Sequence, residues 1–222
     1  MIKGISYAVS PVQQATITTQ EEWDNDWKYL CTEKWQDFGF SSPEEVKKAY
    51  IGEPFPVKTV DINKFDIEKN IIPQTTETLR YVFPIKVENK IITEIHTGLS
   101  KGKWETIMIG GNIIKRLYQI ADKNNIPPQK INIVFLGTSK HLVFENNGTE
   151  TAINILYDER NADNHTSSLQ QEIKQLKQTL TSKKGNLENY TGISIPEYEQ
   201  HKQQESIINR LIRFISYKIQ KH

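Results

Sequence analysis

The stretch "LRYVFPIKVENKIITEIHTG", residues 79–98, decides the fold. Tyr81, Phe83, Ile85 and Val87 alternate with mostly polar neighbours, the period of a half-buried strand. Glu88-Asn89-Lys90 reverses the chain, and Ile91, Thr93 and Ile95 continue the alternation on a second strand. Ser100-Lys101-Gly102-Lys103 is a second turn, and Trp104 to Ile109 a third strand. Strands joined by such short turns pair antiparallel, so the sequence predicts a meander.

Upstream, the spacing predicts a helix over 19–39. Thr19 and Glu22 match a capping box, in which the hydroxyl accepts an unpaired N–H and the carboxylate reaches back. Trp23, Trp27, Leu30, Cys31, Trp35 and Phe38 follow at helical spacing, and Gly39 closes the helix. Ser42-Pro43-Glu44-Glu45 opens a short second helix, ended by Gly52. "PFPVKTV", residues 54–60, is extended, because its prolines exclude helix.

Downstream, Gly110-Gly111-Asn112 ends the third strand and opens a helix with Ile113, Leu117, Ile120 and Ala121 on one face. Asn124-Asn125 and Pro127-Pro128 stop it. "INIVFLG" from Ile131 is a strand, and "HLVFENNGTETAINILY" from His141 is a hairpin about Asn147-Gly148. After residue 160 the composition turns polar. Leu169, Ile173, Leu176 and Leu180 then form an apolar seam, and Ile208, Leu211, Ile212, Ile215 and Ile219 form another. The expected fold is α+β: N-terminal helices packed on an antiparallel sheet in residues 1–160, followed by a C-terminal helical hairpin or assembly tail in 161–222.

The chain has 222 residues and a net charge of +1, so no global field draws it to nucleic acid. Its apolar runs fall short of the ~20 residues a membrane span needs. Its single cysteine, Cys31, permits no internal disulfide. No apolar stretch follows Met1 as in a signal peptide, which fits either a chain without a leader or a mature form.

Chemistry is sparse. Gly110-Gly111 before a helix resembles an anion cradle, but neither a third spaced glycine nor a Gly-Lys-Ser/Thr follows. A strand-to-helix turn explains the pair. Trp104 is a candidate for stacking on a ligand or for packing a small sheet. The Trp23/Trp27/Trp35 stripe reads as core. His96, on a strand, is the one general-base candidate, and a Cys31–His96 pair requires the fold to join them. The five histidines lie in no metal-binding spacing, so no metal or cofactor is expected. Residues 201–222 carry a net +4, with Arg210 and Arg213 beside the apolar Leu211 and Ile215. A basic amphipathic helix suits a protein groove or an anionic membrane surface. Packing against the 169–180 seam is preferred over the membrane.

"IGEPFPV" at 51–57, "YVFPIKVENK" at 81–90, "GKW" at 102–104 and "IGG" at 109–111 together resemble a pattern in uncharacterised exported bacterial proteins. The resemblance spans about residues 20–157. It implies a cystatin-like or propeptide-like α+β domain located outside the cytoplasm, and it brings no catalytic residue. The expected function is a non-enzymatic binding or regulatory module acting on a secreted or surface protein partner, or self-associating. Its candidate contact residues are Trp104, His96, Leu211, Ile215, Arg210 and Arg213. The alternative is a small-molecule-binding or hydrolytic domain with a cleft between the sheet and the Trp-bearing helix.

Overall fold

In the computed structural model, which describes residues 9–137, 139–155 and 169–182, the meander forms where the alternation put it. Two strands precede it, β1 (Tyr50–Ile51) and β2 (Phe55–Val60). The meander is β3 (Thr75–Val87), β4 (Lys90–Ser100) and β5 (Lys103–Ile109). Three more strands follow: β6 (Asn132–Leu136), β7 (Ser139–Asn146) and β8 (Thr149–Asn154). All eight form one sheet in the order β5-β4-β3-β2-β6-β7-β8, with β1 also paired to β3. The β7–β8 turn places Asn147 and Gly148 at φ 51° and 76°, the left-handed conformation that Asn-Gly supplies cheaply.

One pairing departs from the antiparallel expectation. β2 runs parallel to β6, with Val57 opposite Ile133. A parallel pair needs a long crossover, and here the whole meander and the following helix, α4 below, supply it. This pairing joins the meander to the β6–β8 hairpins in one sheet.

The N-terminal helix is a correction. It starts at Pro11, not Thr19: α1 spans Pro11–Glu22, capped by Ser10 and Gln13 in a reciprocal box with Pro at the first turn. Thr19 is buried in mid-helix. Its hydroxyl bonds to the Ala15 carbonyl at 2.6 Å and meets the Thr97 hydroxyl at 2.7 Å. Glu22 instead accepts the Thr106 N–H of edge strand β5 at 2.8 Å. The helix widens to a π-turn over Trp23–Trp27 and resumes as α2, Lys28–Glu33. Trp23, Trp27 and Cys31 are buried across this change of pitch. A short helix, α3, spans Pro43–Lys48 with Ser42 as its cap. It stops before Gly52, whose N–H bonds to the Pro84 carbonyl.

The sheet is covered on both faces, so β3 is not half-buried: every residue from Tyr81 to Ile85 is buried. Tyr81 and Phe83 pack with Ala15 of α1, and Ile85 and Val87 pack with Trp23, Trp27 and Cys31. The intervening Val82 faces the other way, into a cluster with Ile113, Ile114 and Leu117 of α4, Ile113–Asn124. On β6, Ile133 and Phe135 join the α4 cluster, while Val134 and Leu136 face the opposite side.

Helix α5, Leu169–Ser182, covers that opposite side. Leu169 and Ile173 are buried there with Val60, Val134 and Val143. Polar bonds add to this packing: Lys177 Nζ donates to the Phe65 carbonyl at 2.6 Å. Glu172 accepts from Asn154 Nδ2 at 2.7 Å and meets His141 Nε2 at 3.1 Å. The sequence paired the seam beginning at Leu169 with Ile208, Leu211, Ile212 and Ile215. In the structure its first residues pack on the sheet, whose apolar face needed cover, and residues 208–215 lie outside the described residues.

Candidate functional site

His96 lies on β4 opposite Val82 of β3, so its side chain is on the α4 face of the sheet. It is fully buried. Strand alternation puts Glu94 on the same face, and cross-strand register brings Arg80 beside it. The three side chains form a chain of contacts. Arg80 Nη2 lies 3.0 Å from His96 Nδ1, and His96 Nε2 lies 3.0 Å from Glu94 Oε1. A guanidinium only donates, so Nδ1 is the acceptor and Nε2–H donates to Glu94. Burial pushes the His96 pKa down to about 4; the hydrogen bond to Glu94 opposes that shift and the Arg80 charge adds to it. His96 is neutral at pH 7, with its ring nitrogens engaged by Arg80 and Glu94. It holds Arg80 in place.

The Gly-Gly turn ends beside this chain. Glu94 Oε2 accepts the Ile114 N–H in the first turn of α4 at 2.8 Å. The helix N-terminus thus holds an anion, and the anion is the protein's own carboxylate. Gly111 makes the approach possible: it sits at φ 122°, and a Cβ there would lie 2.5 Å from Glu94 Oε1. Gly110, at φ 101°, has open space around it. Gly111→Ala should cost at least about 2 kcal/mol, from backbone strain plus displacement of Glu94. Gly110→Ala should cost less, having only the strain. Thermal melts of the two variants check the order, and equal losses would show that the Glu94 contact is not a constraint.

Trp104 is in sheet packing. Its ring lies 5.9 Å from that of Tyr81, and its Nε1–H donates to Gln14 of α1 at 2.7 Å. Cys31 is buried in the Trp cluster on the face away from His96, so the fold does not join the two. Burial pushes the Cys31 thiol up to about 12, so it is protonated at neutral pH. The space between the Trp-bearing helix and the sheet is filled by Trp23, Trp27, Phe40, Val46 and Ile95. Among the described residues, no three His, Cys, Asp or Glu side chains converge to hold a metal ion. Arg210, Leu211, Arg213 and Ile215 lie outside the described residues.

A groove of about 690 Å³ runs along the flank of α1, between Val12, Thr16 and Ile17 and the β1–β2 connection at Ile51 to Pro54. Val9 and Ile17 stand 46% and 53% exposed at its margin. Gln13, Gln20 and Glu53 give it polar edges.

Sequence reasoning singled out His96 and missed Arg80, Glu94 and the groove. One signal was legible: Glu94 and His96 are two apart on a strand, so they share a face. Arg80 required the β3–β4 register. The groove required the true start of α1, which the Ser10-Pro11-x-Gln13 pattern announces.

No protein-family model matches the chain, and neither a curated protein nor a solved structure matches it.

Proposed function

We propose that the chain is a non-enzymatic binding module that engages a protein partner along the flank of α1. The observation that carries this reading is the groove, an open concavity with apolar walls and exposed Val9 and Ile17 at its margin. Most large apolar side chains of the described residues are buried in the clusters against the sheet. Ile17 faces outward instead, as an anchor for a partner would. Concave, mostly apolar surfaces with a few polar groups at the edge are where proteins take ligands. The resemblance of residues 20–157 to exported bacterial proteins supports a secreted or surface protein as that partner. The engagement of both nitrogens of His96 supports binding over hydrolysis.

A photo-crosslinking residue at position 17, in the full chain expressed in its own cells, should trap a discrete partner. The same residue at Tyr29, which is exposed on α2, should not. Ile17→Asp should leave the melting temperature near that of the parent, as exposed substitutions do. It should weaken the trapped partner's affinity by about tenfold or more. A lack of position-specific adducts, or full affinity in the Asp variant, would remove this reading.

A further inference from the structure

We propose that Arg80 anchors a second binding site, on the α4 face of the sheet, for the oxyanion of a small molecule bearing a carboxylate or phosphate. Arg80 is a partly buried cation in a strand whose following residues are apolar. No carboxylate lies within ion-pairing distance of it among the described residues. Its side-chain partners among the described residues are two: the neutral imidazole of His96, and the ring of Phe135, 4.8 Å from the guanidinium carbon. Nε is buried without a hydrogen-bond partner. Nη1 likewise bonds to no described residue.

A cation taken from water is costly unless an anion or a full set of acceptors receives it. Folding alone would favour an acid beside Arg80 or an apolar residue in its place. Glu94, the acid on this face, is committed to Ile114 N–H and to His96, and meets Arg80 only through the imidazole. Among the described residues this leaves a guanidinium with no carboxylate in direct contact, oriented in advance by a chain of hydrogen bonds that ends on the backbone of α4.

Preorganised donors of this kind suit the oxygens of a carboxylate or phosphate, because little ordering entropy remains to be lost on binding. The neighbouring groups fit the same ligand. Lys140 Nζ lies 5.7 Å from the centroid of the same Phe135 ring, so two cations flank it. Burial, partly offset by Glu94, lowers the Arg80 pKa to about 10, so the guanidinium stays charged at neutral pH. The site is on the opposite face of the sheet from the α1 groove, and it stands or falls independently of the proposal made for that groove.

The test is a titration of the full chain, followed by the ¹⁵N–¹H resonance of Arg80 Nε, which its burial protects from solvent exchange. Succinate, benzoate and inorganic phosphate are the probes, with chloride as the control for screening. At least one probe should give a saturable shift with a Kd below about 1 mM. A response to the carboxylates alone or to phosphate alone supports the site and identifies the source of the oxyanion. Arg80→Lys keeps the charge and loses the planar fork, so it should weaken binding by about tenfold, measured calorimetrically. Lys140→Gln should weaken it by a smaller factor. The Lys140 variant keeps the test informative if Arg80→Lys fails to fold. Shifts that chloride reproduces, or no saturation by any probe, would overturn the proposal.

Discussion

Replacing Trp23 by alanine should cost about 3–5 kcal/mol of folding stability, the loss typical of a fully buried large aromatic. Trp23 is 0% exposed and packs with Trp27, Cys31, Val46 and Ile85 where the N-terminal helices meet β3. Its removal leaves a void at the π-turn that links α1 to α2. Trp23→Phe should cost far less, below about 1.5 kcal/mol, because volume is largely kept. No hydrogen bond is lost in that variant, since Trp23 Nε1 has no partner among the described residues. Urea unfolding of the two variants separates the contributions. A Phe variant as damaged as the Ala variant would mean that the indole N–H is bonded after all.

Acid should destabilise the protein through His96 well before general carboxylate titration ends. An unfolded histidine protonates near pH 6.5, whereas burial holds the folded His96 neutral down to about pH 4. Between these values the unfolded chain binds a proton that the folded chain refuses, so stability falls as pH falls. The contribution is fully present above about pH 6.5 and amounts to about 3 kcal/mol, lost by about pH 4. Unfolding free energies of the parent and of His96→Gln, measured from pH 7 to pH 4.5, isolate it. The parent should show the steeper decline, and parallel curves would show that His96 takes up its proton in the folded state.

Much of the architecture was legible because it is local. The period-two alternation of Tyr81 to Val87, the Glu88-Asn89-Lys90 turn and the Asn147-Gly148 turn each specify conformation from neighbouring residues alone, and each is found. The start of α1 was equally local, yet two capping signals competed. Ser10 with Gln13 won over Thr19 with Glu22 because Pro11 preorganises the first turn. Thr19 and Glu22 were then free to bond across to Thr97 and Thr106, contacts that no spacing along the chain can reveal.

The sequence by itself determined the meander, the two hairpin turns, α3, α4 and the apolar character of the Trp stripe, since each follows from backbone preference or from the period of burial. The tertiary structure decided what those elements face. The parallel β2–β6 pairing joins the meander to the β6–β8 hairpins in one sheet, and helices cover both sides of it. That is why β3 is buried on both faces and why Leu169 and Ile173 pack on strands. The same register sets Arg80 against His96, and His96 against Glu94, across residues as far as 16 apart. Contacts of this kind depend on which strands become neighbours. That is settled by the free energy of covering the whole sheet, a quantity no single segment of the chain contains.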